Sequence, residues 1–101
     1  MQKIILIGFG PDPTLSNSRS AFSLRTTMFE HGLKQNGFEL EKILMFDGKH
    51  KDCFNINSKT DRKSIYKLIN KSDSKFVIAS GFAISDFVSK LNLKNKYLIH
   101  D

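Results

Sequence analysis

The residues of this chain that could do chemistry fall into three groups: Gly8, Gly10, Thr14, Ser16, Asn17 and Arg19 near the start, Ser80 and Gly81 later, and His100 with Asp101. In the first group, GFGPDPTLSNSRS, a Gly-x-Gly follows an apolar run, which usually announces a phosphate-binding turn. A dinucleotide fingerprint needs a third glycine where this chain has Pro13. Pro11 and Pro13 impose an extended path that keeps a helix from starting before about Asn17 or Ser18. A P-loop is also excluded, because no Gly-Lys-Ser/Thr follows. What remains is a long polar loop ending at a helix N-terminus, whose free N–H groups suit an anion. Hydroxyls, an amide and Arg19 would reach a ligand phosphate there. An ordinary Asn/Ser helix cap beside a surface arginine accounts for Asn17 and Ser18 equally well. His100 has the one common side chain suited to taking a hydroxyl proton near neutral pH, although a lone histidine at such a position is often incidental.

The elements that must position these groups alternate along the chain. Ile4 to Ile7 is a short apolar run closed by glycine, the pattern of a strand buried on both faces. From Ser20 to about Asn36 the period is helical, with Ala21, Leu24 and Met28 on one stripe and Phe22, Phe29 and Leu33 beside it, and Gly37 as the C-cap. Gly32 inside that helix either permits close packing or is simply tolerated. Ile43 to Phe46 is a second strand. Residues 48–59 read as a loop holding a short extended piece at Phe54 to Ile56. Ser58 and Asp61 have the spacing of a capping box opening a second helix, with Ile65, Leu68 and Ile69 as its apolar face. Phe76 to Ala79 is a third strand. Ile84, Phe87, Val88 and Leu91 mark a further amphipathic helix, and Tyr97 to Ile99 a fourth strand. Such alternation without hairpin signals predicts an α/β fold: a Rossmann-like parallel sheet of about four strands with helices on both faces, incomplete for its class. Ligands of such sheets sit outside the carboxyl ends of the strands. Here those ends are Gly8-Phe9-Gly10, Asp47-Gly48, Ser80-Gly81 and His100-Asp101.

Composition narrows the classes. The chain has 101 residues, 40% of them hydrophobic and 26% charged, as one ordinary folded domain has. Its apolar runs are far too short to span a membrane or form a signal-peptide core. Cys53 is the single cysteine, so it has neither an intramolecular partner nor metal-ligand spacing, which fits a reduced, cytoplasmic setting. The net charge is +6, but only three of the 16 cations are arginine and no aromatic pattern accompanies them, which argues against a nucleic-acid partner. Lys59, Lys63, Lys67 and Lys71 recur every four residues and form one basic stripe on a helix. That stripe is a solvated face or a peripheral contact with anionic lipid headgroups.

Taken together, the strand KIILIGFG, the loop PDPTLSNSRS, the helix LRTTMFEHGLKQNGFEL and the strand EKILMF resemble the N-terminal domain of GT-B fold glycosyltransferases. Gly37-Phe38-Glu39-Leu40 matches the family's Gly-His-Glu-Val turn with phenylalanine in place of histidine. KFVIASGFAISDFVSKLNLKNKYLIHD resembles its later pair of strands around a short helix. The resemblance implies a sugar transferred from a nucleotide-sugar, as substrate, to a glycan or lipid-linked acceptor, with no metal and no further cofactor. It implies that Gly10, Thr14, Ser16, Asn17 and Arg19 approach the donor diphosphate and that Ser80 and Gly81 line the acceptor side. His100 would contact the reacting sugar or act as a base, with Asp101 as the alternative. Residues 1–101 would form the acceptor-side domain, with the family's C-terminal donor domain absent, so the chain alone is expected to be inactive. Two rivals remain: a free-standing nucleotide- or dinucleotide-binding domain, and a non-catalytic interaction module.

Overall fold

The computed structural model describes residues 2–11 and 21–100, with side chains from residue 24 onward in the first helix. Thr14, Ser16, Asn17, Arg19 and Asp101 lie outside the described residues. Among the described residues five strands, β1 (Lys3–Phe9), β2 (Glu39–Phe46), β3 (Phe54–Asn55), β4 (Phe76–Ala79) and β5 (Tyr97–His100), are interleaved with helices α1 (Ala21–Gln35), α2 (Lys59–Lys71) and α3 (Phe82–Ser89), β3 following β2 with no helix between. The strands of the sheet all pair in parallel, in the order β3-β2-β1-β4-β5. This is a Rossmann-like α/β fold. The short extended piece near Phe54 forms a fifth, edge strand by pairing with Met45 and Phe46.

β1 is central. Ile5, Leu6 and Ile7 are wholly buried, because the strand has a hydrogen-bonded neighbour on each edge and packed side chains on each face. Ile5 and Ile7 point into the larger core with Ile65 and Ile69 of α2 and Ile84, Phe87 and Val88 of α3. Ile4 and Leu6 point the other way, against Phe29 and Leu33 of α1. Each such side chain contributes about 1.5–3 kcal/mol by leaving water. The strand therefore reads as a continuous apolar run rather than an alternating one.

The stripe expected to bury α1 is only partly right. Leu24 is 43% and Met28 75% exposed, whereas Thr26 is buried and Phe29 and Leu33 pack on the sheet. The cause lies in β1. A Cβ on Gly8 would stand 2.2 Å from Thr26 Oγ1 and 2.4 Å from its Cγ2, so the missing side chain lets α1 settle with Thr26 against the strand. That rotates Leu24 and Met28 outward. Gly32 faces open space, so it is tolerated and supports no close packing. Gly37 has φ +85°, as its C-cap position requires.

Polar contacts fasten the layers. Glu30 of α1 pairs with Lys34 one turn on and with Lys42 of β2, each at 3.0 Å. Burial acts to raise the Glu30 pKa, but the hydrogen bonds from Lys34 and Lys42 outweigh it and hold the carboxyl below its ordinary range. At α2 only half of the expected capping box forms. Ser58 Oγ accepts the Asp61 N–H at 3.2 Å, while the Asp61 carboxylate accepts the Asn55 N–H at 2.7 Å and so ties β3 to the helix. Ser74 is buried where β4 begins, with its hydroxyl 2.7 Å from the Lys3 carbonyl of β1.

Gly8→Ala is expected to lower stability by about 1–3 kcal/mol, read as a lower denaturant midpoint, and adding Thr26→Ala should recover part of the loss. An unchanged midpoint would contradict the close approach of α1. Because the folded-state pKa of Glu30 is depressed, its stabilisation is present above the ordinary glutamate value and lost as pH falls through the depressed one. Glu30→Gln should therefore cost on the order of 1 kcal/mol at neutral pH and little in acid. An equal cost at both would remove the ion pairs from the explanation.

Candidate functional site

In this topology α1, the helix after β1, covers one face of the sheet, and α3, the helix after β4, covers the other. That reversal between adjacent strands opens a crevice at their carboxyl ends. The ladder continues one step past each end. Gly10 N–H donates to the Met45 carbonyl and Ser80 N–H to the Ile7 carbonyl, both at 2.9 Å.

Next to this crevice, on the face covered by α2 and α3, lies an open cleft of about 970 Å³, at the upper end of small-molecule sites. Its floor is built from the ends of β1 and β2, Phe9, Gly10, Phe46 and Asp47, with Ile56 and Asn57 following β3. One wall is α2, through Arg62, Lys63 and Tyr66. The other is α3 and the turn after it, including Asp86, Phe87 and Lys90. The helices are splayed over β1, and Tyr66 bridges them by donating its hydroxyl to the Asn92 carbonyl at 3.1 Å.

The polar groups of the cleft are ordered. Asn57 Nδ2 donates to Asp47 Oδ1 at 2.6 Å, and Lys90 pairs with Asp86 at 3.0 Å. Arg62 Nε donates to the Ile56 carbonyl at 2.5 Å, and the guanidinium stands 5.5 Å from the centre of the Phe87 ring. Aromatic faces and a positioned guanidinium suit a ring-bearing polar ligand.

Of the site residues expected from the sequence, Gly10 lines the cleft. Gly81 borders it: at φ +100° it forms the N-cap of α3, and a Cβ there would meet the Phe9 ring at 3.1 Å. Ser80 is buried between β4 and α3. His100 is exposed on the edge strand, aligned through Ala79 with Ile7. Strand spacing and rise place its backbone ~10 Å across the sheet from β1 and ~7 Å short of the level of Phe9, so it does not line the cleft. Lys59, Lys63, Lys67 and Lys71 are exposed along α2, and Lys63 also lines the cleft. No helix among the described residues is long and apolar enough to cross a membrane.

A smaller hollow of about 440 Å³ lies at the sheet edge among His50, Cys53, Asn55 and Asp61. His50 Nδ1 accepts the Asp52 N–H at 3.1 Å, and its ring is tilted against Phe46 at 5.4 Å. Cys53 packs under Gly10, where a Cβ would come within 2.7 Å of its sulfur. Among the described residues no three of His, Cys, Asp and Glu gather as a metal site would require.

Comparison with protein-family models, with curated proteins and with solved structures finds no match to this chain. The assignment of the site therefore stands on its geometry.

Burial, and then the nearby Asp52 carboxylate, push the Cys53 thiol above its ordinary pKa. Little thiolate is present at neutral pH, so native Cys53 should react with iodoacetamide several-fold more slowly than in the urea-unfolded chain. Equal rates would contradict its packing under Gly10.

Proposed function

We propose that this chain is the acceptor-side domain of a glycosyltransferase of the GT-B type, moving a sugar from a nucleotide-sugar donor to a glycan or lipid-linked acceptor. Turnover requires the donor-binding domain of the same enzyme. The observation that carries this reading is the cleft at the carboxyl ends of β1 and β2, with Phe9 and Phe46 in its floor and Phe87 in its wall. Sugar rings stack their C–H faces on aromatic rings, for which the partly exposed Phe9 is placed, and present hydroxyls to groups such as Asn57, Asp86 and Asn92, all of which line it. Gly10 lines the same cleft, and Thr14, Ser16, Asn17 and Arg19, which follow it in the sequence, are the groups that would meet the donor diphosphate. For a lipid-linked acceptor, the lysine stripe of α2 lies beside the cleft and would rest on an anionic membrane surface.

The dinucleotide reading is the weaker one, on a specific ground. In a dinucleotide site the glycines clear room for the pyrophosphate. Here the open side of Gly8 faces Thr26, and that of Gly10 faces Cys53 and Leu44.

Chemical-shift titration of the isotope-labelled chain separates the readings. A neutral disaccharide should shift the amides of Phe9, Phe46 and Phe87 with an affinity in the millimolar range, roughly −4 kcal/mol, and NAD should bind no better than UDP-glucose. Preferential NAD binding centred on Gly8 to Gly10 would overturn the proposal.

A further inference from the structure

The ion pairing of the cleft is uneven. Its lining carries three cations, Arg62, Lys63 and Lys90, against two carboxylates, Asp47 and Asp86. Both carboxylates are engaged within the protein, Asp47 by Asn57 and Asp86 by Lys90. Arg62 uses only Nε, on the Ile56 carbonyl, and its planar group stands over the Phe87 ring. Its two terminal nitrogens meet no hydrogen-bond or ion-pair partner among the described residues, and neither does the Lys63 ammonium. A guanidinium fixed at Nε and over a ring, with its outer fork open, is already arranged to take two oxygens of one oxyanion. The wall holding it is the one above Phe9 and Phe46, so a ring on that floor and an acidic group on that fork belong to one ligand.

We propose that Arg62 is an oxyanion-recognising residue and that the ligand of this cleft is an acidic saccharide, carrying a carboxylate or a phosphate on the ring. This rests on the acceptor-domain reading for the saccharide part, but the oxyanion part stands on Arg62 alone. Lys63 adds a second, mobile positive charge at the same wall. Asp86, held by Lys90, leaves the fork uncontested.

The test is a titration of the labelled chain with methyl glucoside, methyl glucuronide, a glucose phosphate and inorganic phosphate, on the native sequence and on Arg62→Gln and Arg62→Lys. Thermal melts confirm that the variants fold. The native chain should bind one or both acidic sugars roughly ten- to hundredfold more tightly than the neutral one, as a charge-assisted pair gives. Which acidic sugar binds better identifies the carboxylate or the phosphate as the source. Arg62→Gln should abolish the preference, and Arg62→Lys should lose most of it because an ammonium cannot engage two oxygens side by side. Equal binding of neutral and acidic sugars would overturn the role of Arg62 and leave the acceptor-domain reading in place. So would a full preference retained in Arg62→Lys. A response to inorganic phosphate that depends on Arg62, with none to any sugar, would uphold the oxyanion site and remove the saccharide reading. Silence toward all four probes would overturn both.

Discussion

Strand β1 is hydrogen-bonded along both edges and packed on both faces, and every other element takes its position from that constraint. Its edges hold β2 and β4 in register from Lys3–Glu39 and Ile4–Phe76 onward. Its odd-numbered side chains fill the core under α2 and α3, and its even-numbered ones fill the core under α1. A strand so enclosed can meet a ligand only where it ends. The helices that follow β3 and β4 cover the face opposite α1, so the sheet's winding reverses between β1 and β4, the kind of place where ligands of such sheets sit.

Two glycines that look like a phosphate turn do different work. Gly8 admits Thr26 of α1, and Gly10 admits Cys53 and Leu44. Both replace a side chain with a close contact inside the protein, and both keep the end of β1 tight against its neighbours. Phe9, between them, points to the other face and becomes part of the cleft floor. The alternation of a strand thus divides three consecutive residues between the α1 face and the cleft. The electrostatics follow the same division. Of the carboxylates near the cleft, Asp47 accepts from Asn57 and Asp86 pairs with Lys90, while Arg62 is held by a backbone carbonyl and a ring, with no partner at its outer fork among the described residues.

Much of the fold was legible in the sequence because the central strands carry unambiguous apolar runs. Ile4 to Ile7, Ile43 to Phe46 and Phe76 to Ala79 each lie within a strand, and the Ser58 cap and Gly37 stop mark real helix ends. The buried face of α1 was not legible, because hydrophobicity favours Leu24 and Met28 over Thr26. What reverses that order is space left by Gly8, a residue distant in sequence. The cleft was less legible still. Phe9, Phe46, Arg62 and Phe87 come from four elements, and none carries a local signal beyond ordinary core or surface chemistry. Strand-end reasoning pointed to the carboxyl ends of the strands, where Gly10 lines the cleft. Which helix walls would stand apart above it depends on packing that no short motif encodes.

The central claim is that ligand is held between α2 and α3 over the ends of β1 and β2. Intermolecular nuclear Overhauser effects between a bound acidic sugar and the chain test it most directly. Contacts from the sugar ring protons to the Phe9 and Phe87 rings, with none to β5, are the result the geometry predicts. Contacts confined to Tyr97, Ile99 and His100, at the opposite edge of the sheet, would contradict it.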